Sequence, residues 1–310
     1  MRQVEVPTVD DVRAARERIR GLVRETPLVE SDELGAHLKL ETFQPTGSFK
    51  VRGAAAALTA PGSGGRVVAA SAGNHGLGVA WAAQRLGLEA TIVVAETASP
   101  AKIEALRRFS ATLVLHGADY DEAEAHALSL AGEGARYVSP YNDRDVIAGA
   151  GTIALELLEQ LGHELTVVVP VGGGGLASGI GLAATPAGAR VVGVVAEASP
   201  AMRTALAAGE SVPVPVRETL ADGLAGNIEP GSVTIPLCSR LLDDIVAVSE
   251  DELAGAMRVL VCEHGLVAEG SGAAAVAALR AGRVEVEGSA VAIVSGRNVT
   301  LDSLMSVLSY

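Results

Sequence analysis

Seven short stretches of this chain are apolar at nearly every position instead of at every second one. They are VVAA at 67–70, ATIVV at 90–94, TLVL at 112–115, TVVV at 166–169, VVGVV at 191–195, IVAV at 245–248 and VAIV at 291–294. A strand with one wet face alternates, because successive side chains point to opposite sides. Runs that do not alternate belong to strands buried on both faces, and helical segments separate them here, so the pattern predicts parallel sheets covered by helices on each side. The fold class is α/β, with two doubly wound parallel-sheet domains (three-layer αβα) and a cleft between them. The expected division is a small domain at 51–139 and a large domain made of 1–50 plus 140–310, whose sheet is joined by the first strand of the chain. A chain of 310 residues is long enough for both. With only 3% aromatic residues, the cores must be built from Val, Leu, Ile and Ala.

Local signals set the expected elements. Thr8 with Asp11 reads as a capping pair for a helix that ends near Gly21 and Thr26-Pro27. Leu38 to Glu41 reads as a strand, and Pro100 opens a helix. Gly149 to Leu161 reads as a helix with Ile153, Leu157 and Leu161 on one face. Ser249 and Glu252 form a second capping box, Ala273 to Leu279 reads as a helix, and residues 210–236 read as mostly loop.

Charge and composition exclude several classes. A net charge of -13 argues against nucleic acid or an anionic membrane as partner. Cys238 and Cys262 form no CxxC pair and no Cys/His cluster, which fits a reduced, cytoplasmic protein and no structural zinc. The opening MRQVEVPTVDD contains no apolar leader. Residues 165–189 are uncharged, but four consecutive glycines and a Thr-Pro pair make a strand, a loop and a packed helix the better reading. The chain ends at Tyr310, soon after the last predicted loop, so no appended regulatory domain or feedback inhibition is expected.

Three of the apolar strands end in small, polar loops: SAGNHG at 71–76, GGGG at 172–175 and SGRN at 295–298. In parallel α/β sheets ligands sit beyond the carboxyl ends of strands, where helix N-termini offer unpaired N–H groups to an anion. The glycine run is the phosphate candidate, because a bare backbone can approach an oxyanion closely. It also fits a loose dinucleotide fingerprint, Gly172-x-Gly174-x-x-Ala177 with Glu197 ending the next strand, so a nicotinamide or flavin oxidoreductase stays open. The Walker lysine pattern is absent. A further stretch, QPTGSFKVRGA at 44–54, places Lys50 among small residues and one aromatic before an alanine-rich helix. A desolvated amine in such a setting drops in pKa and gains nucleophilicity.

QPTGSFKVRGA, SAGNHG, GGGG and SGRN together, in this order, resemble the serine/threonine dehydratase and serine racemase group of pyridoxal-phosphate enzymes (fold type II, tryptophan synthase beta-like), and the match spans roughly residues 26–299. The resemblance implies that Lys50 carries the cofactor covalently and serves as the catalytic base. It implies that Gly172, Gly173, Gly174, Gly175 and Leu176 cradle the phosphate and that Asn74 meets the ring hydroxyl. Phe49 and Gly223 would lie against the two ring faces, and Ser295 would meet the ring nitrogen. Ser71, Asn74 and His75, with nearby backbone amides, would hold the substrate carboxylate. Tyr141 and Asn142 are candidates for the side-chain pocket, and Glu269 is a candidate supporting carboxylate. The activity implied is β-elimination from L-threonine or L-serine to a 2-oxo acid and ammonia by a homodimer. An amino-acid racemase or a hydroxyaspartate-type dehydratase of the same group is the alternative.

Two departures sharpen this. Racemases of the group read SSGNH where this chain has Ala72, so a proton donor on the second face is missing and elimination with little racemisation is expected. Members that bind a divalent cation place an acid where this chain has Arg203, after Glu197 and Ala201. A cation cannot ligate a metal, so no metal is expected there, and Arg203 is expected to pair with Glu197 instead.

Overall fold

The computed structural model describes residues 3–132 and 134–309; Met1, Arg2 and Tyr310, which belong to the terminal segments read above, lie outside that range. The chain runs α1 (Val9–Ile19), β1 (Leu28–Ser31), β2 (Ala36–Leu40), α2 (Lys50–Leu58), β3 (Arg66–Ala70), α3 (Asn74–Leu86), β4 (Glu89–Val94), α4 (Pro100–Leu106), β5 (Thr112–Leu115), α5 (Tyr120–Gly132) and β6 (Arg136–Tyr137). It continues with α6 (Arg144–Leu161), β7 (Leu165–Pro170), α7 (Gly175–Ala184), β8 (Arg190–Ala196), α8 (Ala201–Ala208), α9 (Thr234–Leu241), β9 (Asp244–Val248), α10 (Glu250–Cys262), α11 (Gly270–Arg280), β10 (Ser289–Val294) and α12 (Leu301–Leu308).

The strands form a six-stranded sheet in the order β1-β2-β10-β7-β8-β9 and a four-stranded sheet in the order β5-β4-β3-β6. Every pairing is parallel except β1 with β2 at one edge. The missing alternation has the physical cause inferred for it. In β7, Val167 and Val169 pack into one hydrophobic cluster with Ile153 and Ile180, while Val168 packs into another with Val276 and Leu260. In β3, Val67 and Ala69 face the first of these clusters, and Val68 and Ala70 face Ala123 and Ala127 of α5. Each strand is thus sandwiched, and both rows of its side chains are apolar.

Helices α6 and α7 lie unusually close. A Cβ on Gly179 would fall 2.3 Å from the Ile147 carbonyl oxygen, and one on Gly151 would fall 2.5 Å from that of Gly179. Only glycine fits at such a crossing.

Both predicted capping boxes form, at Thr8/Asp11 and Ser249/Glu252. Other boundaries differ for local reasons. Helix α6 begins at Arg144 instead of 149, because the Asp143 carboxylate accepts from the Asp145 and Val146 N–H groups at 2.9 and 3.1 Å. The stretch 210–236 is mostly loop as read, and α9 begins in its last three residues; Pro236 sits in the first turn of that helix, where no intrahelical N–H partner is lost. Strand β1 has no sequence signal, since it is an edge strand with mostly exposed side chains. The uncharged residues 165–189 are β7, the glycine loop and α7, and no helix among the described residues is long and apolar enough to cross a membrane.

A buried charge network ties α2 to the large sheet. Arg52 is 1% exposed and donates to both oxygens of Glu41 at 2.8 Å, to Glu156 at 2.5 and 3.0 Å, and to the Thr152 hydroxyl at 3.2 Å. Lys39, on β2, completes it with an ion pair to Glu156 at 2.7 Å and a bond to the Thr26 carbonyl at 2.8 Å. Two cations face two carboxylates, so the net buried charge is zero. Burial works against the charge on Glu156, but Arg52 and Lys39 outweigh it and hold the carboxyl below its usual range. Arg52→Met strips Glu41 of its counter-charge in the core and is expected to cost about 3–5 kcal/mol in urea unfolding at neutral pH. A loss of under about 1 kcal/mol, the ceiling usual for an exposed pair, would show that the network carries no such role.

Candidate active site

The carboxyl ends of β3, β7 and β10 bring the SAGNHG, GGGG and SGRN loops toward the start of α2. The lysine segment and the SGRN loop are stitched together: Ser48 bridges Gly296, Phe49 N–H donates to the Ser295 carbonyl at 3.0 Å, and Arg297 N–H donates to the Gly47 carbonyl at 2.9 Å.

Lys50 is the first residue of α2, and Phe49 is its N-cap. The Lys50 amine lies 5.1 Å from the centre of the Phe49 ring and donates to the Pro140 carbonyl at 2.7 Å. Desolvation lowers its pKa to about 8, against a small opposing pull from the charge of Glu269. An amine so placed is neutral in a substantial fraction at mildly alkaline pH, as a nucleophile or base must be.

Each glycine of the run has a reason. Gly172 is packed on the backbone of Leu224 and Gly223; a Cβ would stand 3.0 Å from Leu224 Cα. A Cβ on Gly173 would enter the Tyr141 ring, and one on Gly175 would lie 2.9 Å from Tyr141 Cα. Gly174 has a φ of +87° and caps α7 without any side-chain bond. The first N–H groups of α7, at Gly175 and Leu176, therefore lack a capping side chain and suit an anion. Thr234 donates to the Gly173 carbonyl at 2.7 Å, and the buried Cys238 sulfur packs below Gly174. Burial raises the Cys238 thiol to about 11, which keeps it a neutral packing group.

On the small sheet, Ser71 follows β3 and its hydroxyl accepts from Gly73 N–H at 3.1 Å. Asn74 is the first residue of α3, which has no side-chain cap. Its amide nitrogen donates to Glu269 Oε1 at 2.6 Å, and its oxygen accepts from Asn298 Nδ2 at 2.6 Å. His75 is 3% exposed, and its ring does not present a cation. Nε2 donates to the Val138 carbonyl at 2.8 Å, Nδ1 is buried without a partner, and burial with the nearby Lys50 charge lowers its pKa to about 3. A neutral imidazole cannot pair with a carboxylate as a charge, so the backbone N–H of His75 is the part that suits that task.

Gly223 lies on a 3-10 turn, where a Cβ would meet Ser271 Oγ at 2.9 Å. Ser295 is buried, and its hydroxyl makes only a long 3.5 Å contact with the Ser271 carbonyl. Glu269 caps α11; desolvation raises its pKa to about 8, with the Asn74 bond opposing. Tyr141 and Asn142 are committed to the loop that backs the glycine run: the Tyr141 hydroxyl accepts from Glu229 N–H at 2.9 Å, and Asn142 accepts from Val233 N–H at 3.1 Å. Thr234, Ser271 and the Pro140 carbonyl carry no motif of their own and are visible only in three dimensions, and Asn298, though within the SGRN loop, was given no role from sequence.

The site fits pyridoxal phosphate on its own chemistry. Buried polar atoms without protein partners gather around the cleft, at Thr46, Ser48, His75 and Ser271. Such atoms cost free energy unless a polar ligand or water meets them. The glycine cradle suits the phosphate, and the depressed amine suits an aldehyde.

Elsewhere, Glu197 follows β8 and shares a surface cavity with Arg203, Asp244 and Arg283. The expected Arg203–Glu197 pair is absent among the salt bridges of the described residues; Arg217 donates to the Glu197 carbonyl and Arg283 pairs with Glu252. Arg283 lies close enough to feel the Glu197 charge without forming a salt bridge to it.

The chain is similar to known proteins along nearly its whole length. An L-threonine ammonia-lyase of Thermotoga maritima is 41% identical over 97% of this chain and 78% of its own length. Maize serine racemase superposes with a TM-score of 0.90 at 31% identity, covering 98% of each chain. Threonine deaminase isoform 2 of Solanum lycopersicum gives 0.87 at 33% identity over 99% of this chain and 96% of that one. Residues 19–296 match the family described as pyridoxal-phosphate dependent enzymes, which removes the dinucleotide alternative, and the chain belongs to that family.

Proposed function

We propose that the protein is an ammonia-lyase that converts L-threonine or L-serine to a 2-oxo acid and ammonia with pyridoxal 5'-phosphate as cofactor. The observation that carries this reading is the Lys50 amine: desolvated, lowered to about 8, beside the Phe49 ring and facing the loops of both sheets. The L-threonine ammonia-lyases of Thermotoga maritima and Geobacter sulfurreducens, 41% and 39% identical, narrow the substrate.

When bound, pyridoxal phosphate supplies the electron sink that makes the Cα proton of an amino acid removable. Lys50 Nζ accepts that proton; the Pro140 carbonyl is the hydrogen-bond partner that holds the amine when it is free. Gly172, Gly173, Gly174, Gly175 and Leu176 would hold the phosphate with backbone N–H groups, and Phe49 and Gly223 would flank the ring. Ser295 would offer the ring nitrogen a hydroxyl in place of a carboxylate, a neutral partner that would leave that nitrogen less protonated. Asn74 donates to the ring hydroxyl. Ser71 and the backbone N–H groups of Asn74 and His75 would orient the substrate carboxylate at the start of α3, where the helix dipole favours negative charge.

The division into 1–50 plus 140–310 and 51–139, the homodimer, and a cytoplasmic setting belong to this same reading. The last is supported by two free cysteines, Cys238 buried and Cys262 exposed.

Three outcomes follow. Holoenzyme should show a visible band bleached by borohydride, and Lys50→Ala should lose both band and deamination by at least about a thousandfold, as expected when a nucleophile that is also the base is removed; an active variant would end the proposal. Where racemases of the group carry a second serine, this chain has Ala72, which has no hydroxyl to donate a proton. D-serine should therefore form from L-serine far more slowly than pyruvate does, and chiral chromatography finding comparable rates would favour the racemase reading. Chelation by EDTA should leave the deamination rate unchanged, because Arg203 occupies the third position of the cation site; metal-dependent activity tracking Glu197→Ala would contradict that.

A further inference from the structure

We propose that Asn298 is a positioning residue that sets which end of the Asn74 amide faces the cofactor. The assignment follows from a chain of hydrogen bonds with a fixed direction. Asn298 Nδ2 lies 2.8 Å from the Thr46 carbonyl, which can only accept, so this end of Asn298 must be the nitrogen. The same nitrogen lies 2.6 Å from Asn74, so the atom of Asn74 facing it must be the oxygen. Both hydrogens of Asn298 Nδ2 are then used. The nitrogen of Asn74 is turned the other way, where one N–H donates to Glu269 Oε1 at 2.6 Å. Its second N–H has no protein partner among the described residues and is the donor left for the site. An ionised ring oxygen on the cofactor only accepts and needs a donor there; a flipped amide would present a carbonyl oxygen and repel it.

Two glycines support the same reading. Gly47, at a φ of +76°, leaves room for Asn298: a Cβ would fall 2.7 Å from Asn298 Oδ1. Gly296 leaves room for Glu269, whose Oε1 would lie 2.1 Å from a Cβ. The lysine segment, the SAGNHG loop and the SGRN loop are thus cut to admit the bridge from Asn298 through Asn74 to Glu269. Asn298 is exposed, so core packing does not ask for it.

This inference rests on the cofactor reading above, and the test separates the two. Apoenzyme of the full chain is titrated with pyridoxal phosphate while its visible spectrum is recorded. Wild type that takes up no cofactor sinks the parent reading. Given normal wild-type uptake, Asn298→Asp, which keeps the shape but loses both donors, should weaken cofactor binding about fivefold to tenfold, the size of one hydrogen bond, and shift the absorption maximum. In an Asn74→Ala background the same change should have no further effect, because Asn298 acts through Asn74. Wild-type binding and spectrum in Asn298→Asp, or an undiminished effect in the Asn74→Ala background, overturns the proposal. Asn298→Ser gives the same readout should the aspartate variant fail to fold.

Discussion

Arg52 inside the core is the constraint on which the rest of the molecule depends. Its guanidinium is closed by Glu41 and Glu156, and Lys39 balances the second carboxylate. A buried pair of this kind is not a large net source of stability, because desolvation offsets the attraction. Its value lies in direction. A bidentate guanidinium tolerates little displacement, and Arg52 stands two residues after Lys50 on the same helix. The network therefore sets the axis of α2, and with it the approach of the amine to the cleft. Helix α2 is otherwise lined with alanines, which alone would let it slide.

The cleft is a place where backbone is laid against backbone. Gly172 touches Leu224 and Gly223, Gly272 would meet the Gly296 carbonyl if it had a Cβ, and Gly270 would meet that of Leu220. Close approach of bare loops leaves N–H groups and a few hydroxyls as the site's polar surface, with Lys50 and Glu269 as titratable groups enclosed among them. Burial pushes these two in opposite directions, the amine down and the carboxyl up. Each is thereby nearer to its neutral form, as proton transfer in a dry site requires.

The sheets were readable from periodicity because burial on two faces removes alternation, a property written residue by residue into Val67–Ala70 or Leu165–Pro170. The glycine run and the SAGNHG loop were readable because their chemistry is unusual at the end of an apolar strand, and Lys50 because the segment around it resembles that of a known family. Strand β1 was not, since an exposed edge strand has no apolar row to betray it. Helix α9 was hidden by Pro236, which a first turn accepts. For His75, sequence left open whether ring or backbone would meet a carboxylate. Sequence shows that a histidine is present, and only packing shows that Val138 takes one ring nitrogen and that burial keeps the ring neutral.

Composition and strand pattern, both local properties, were enough to define a double-sheet α/β protein, and the glycine loop and Lys50 stood out as site candidates, the lysine chiefly through the resemblance of its segment to a family. Which residues face one another across the cleft was decided only by the tertiary structure. The partners Asn74, Glu269 and Asn298, and Lys50 with the Pro140 carbonyl, are separated by tens to hundreds of residues. Their pairing follows from the packing of two sheets through α2, α3 and α6. Hydrogen bonds are directional and short-ranged, so that choice cannot be made until the backbone has brought the groups within reach.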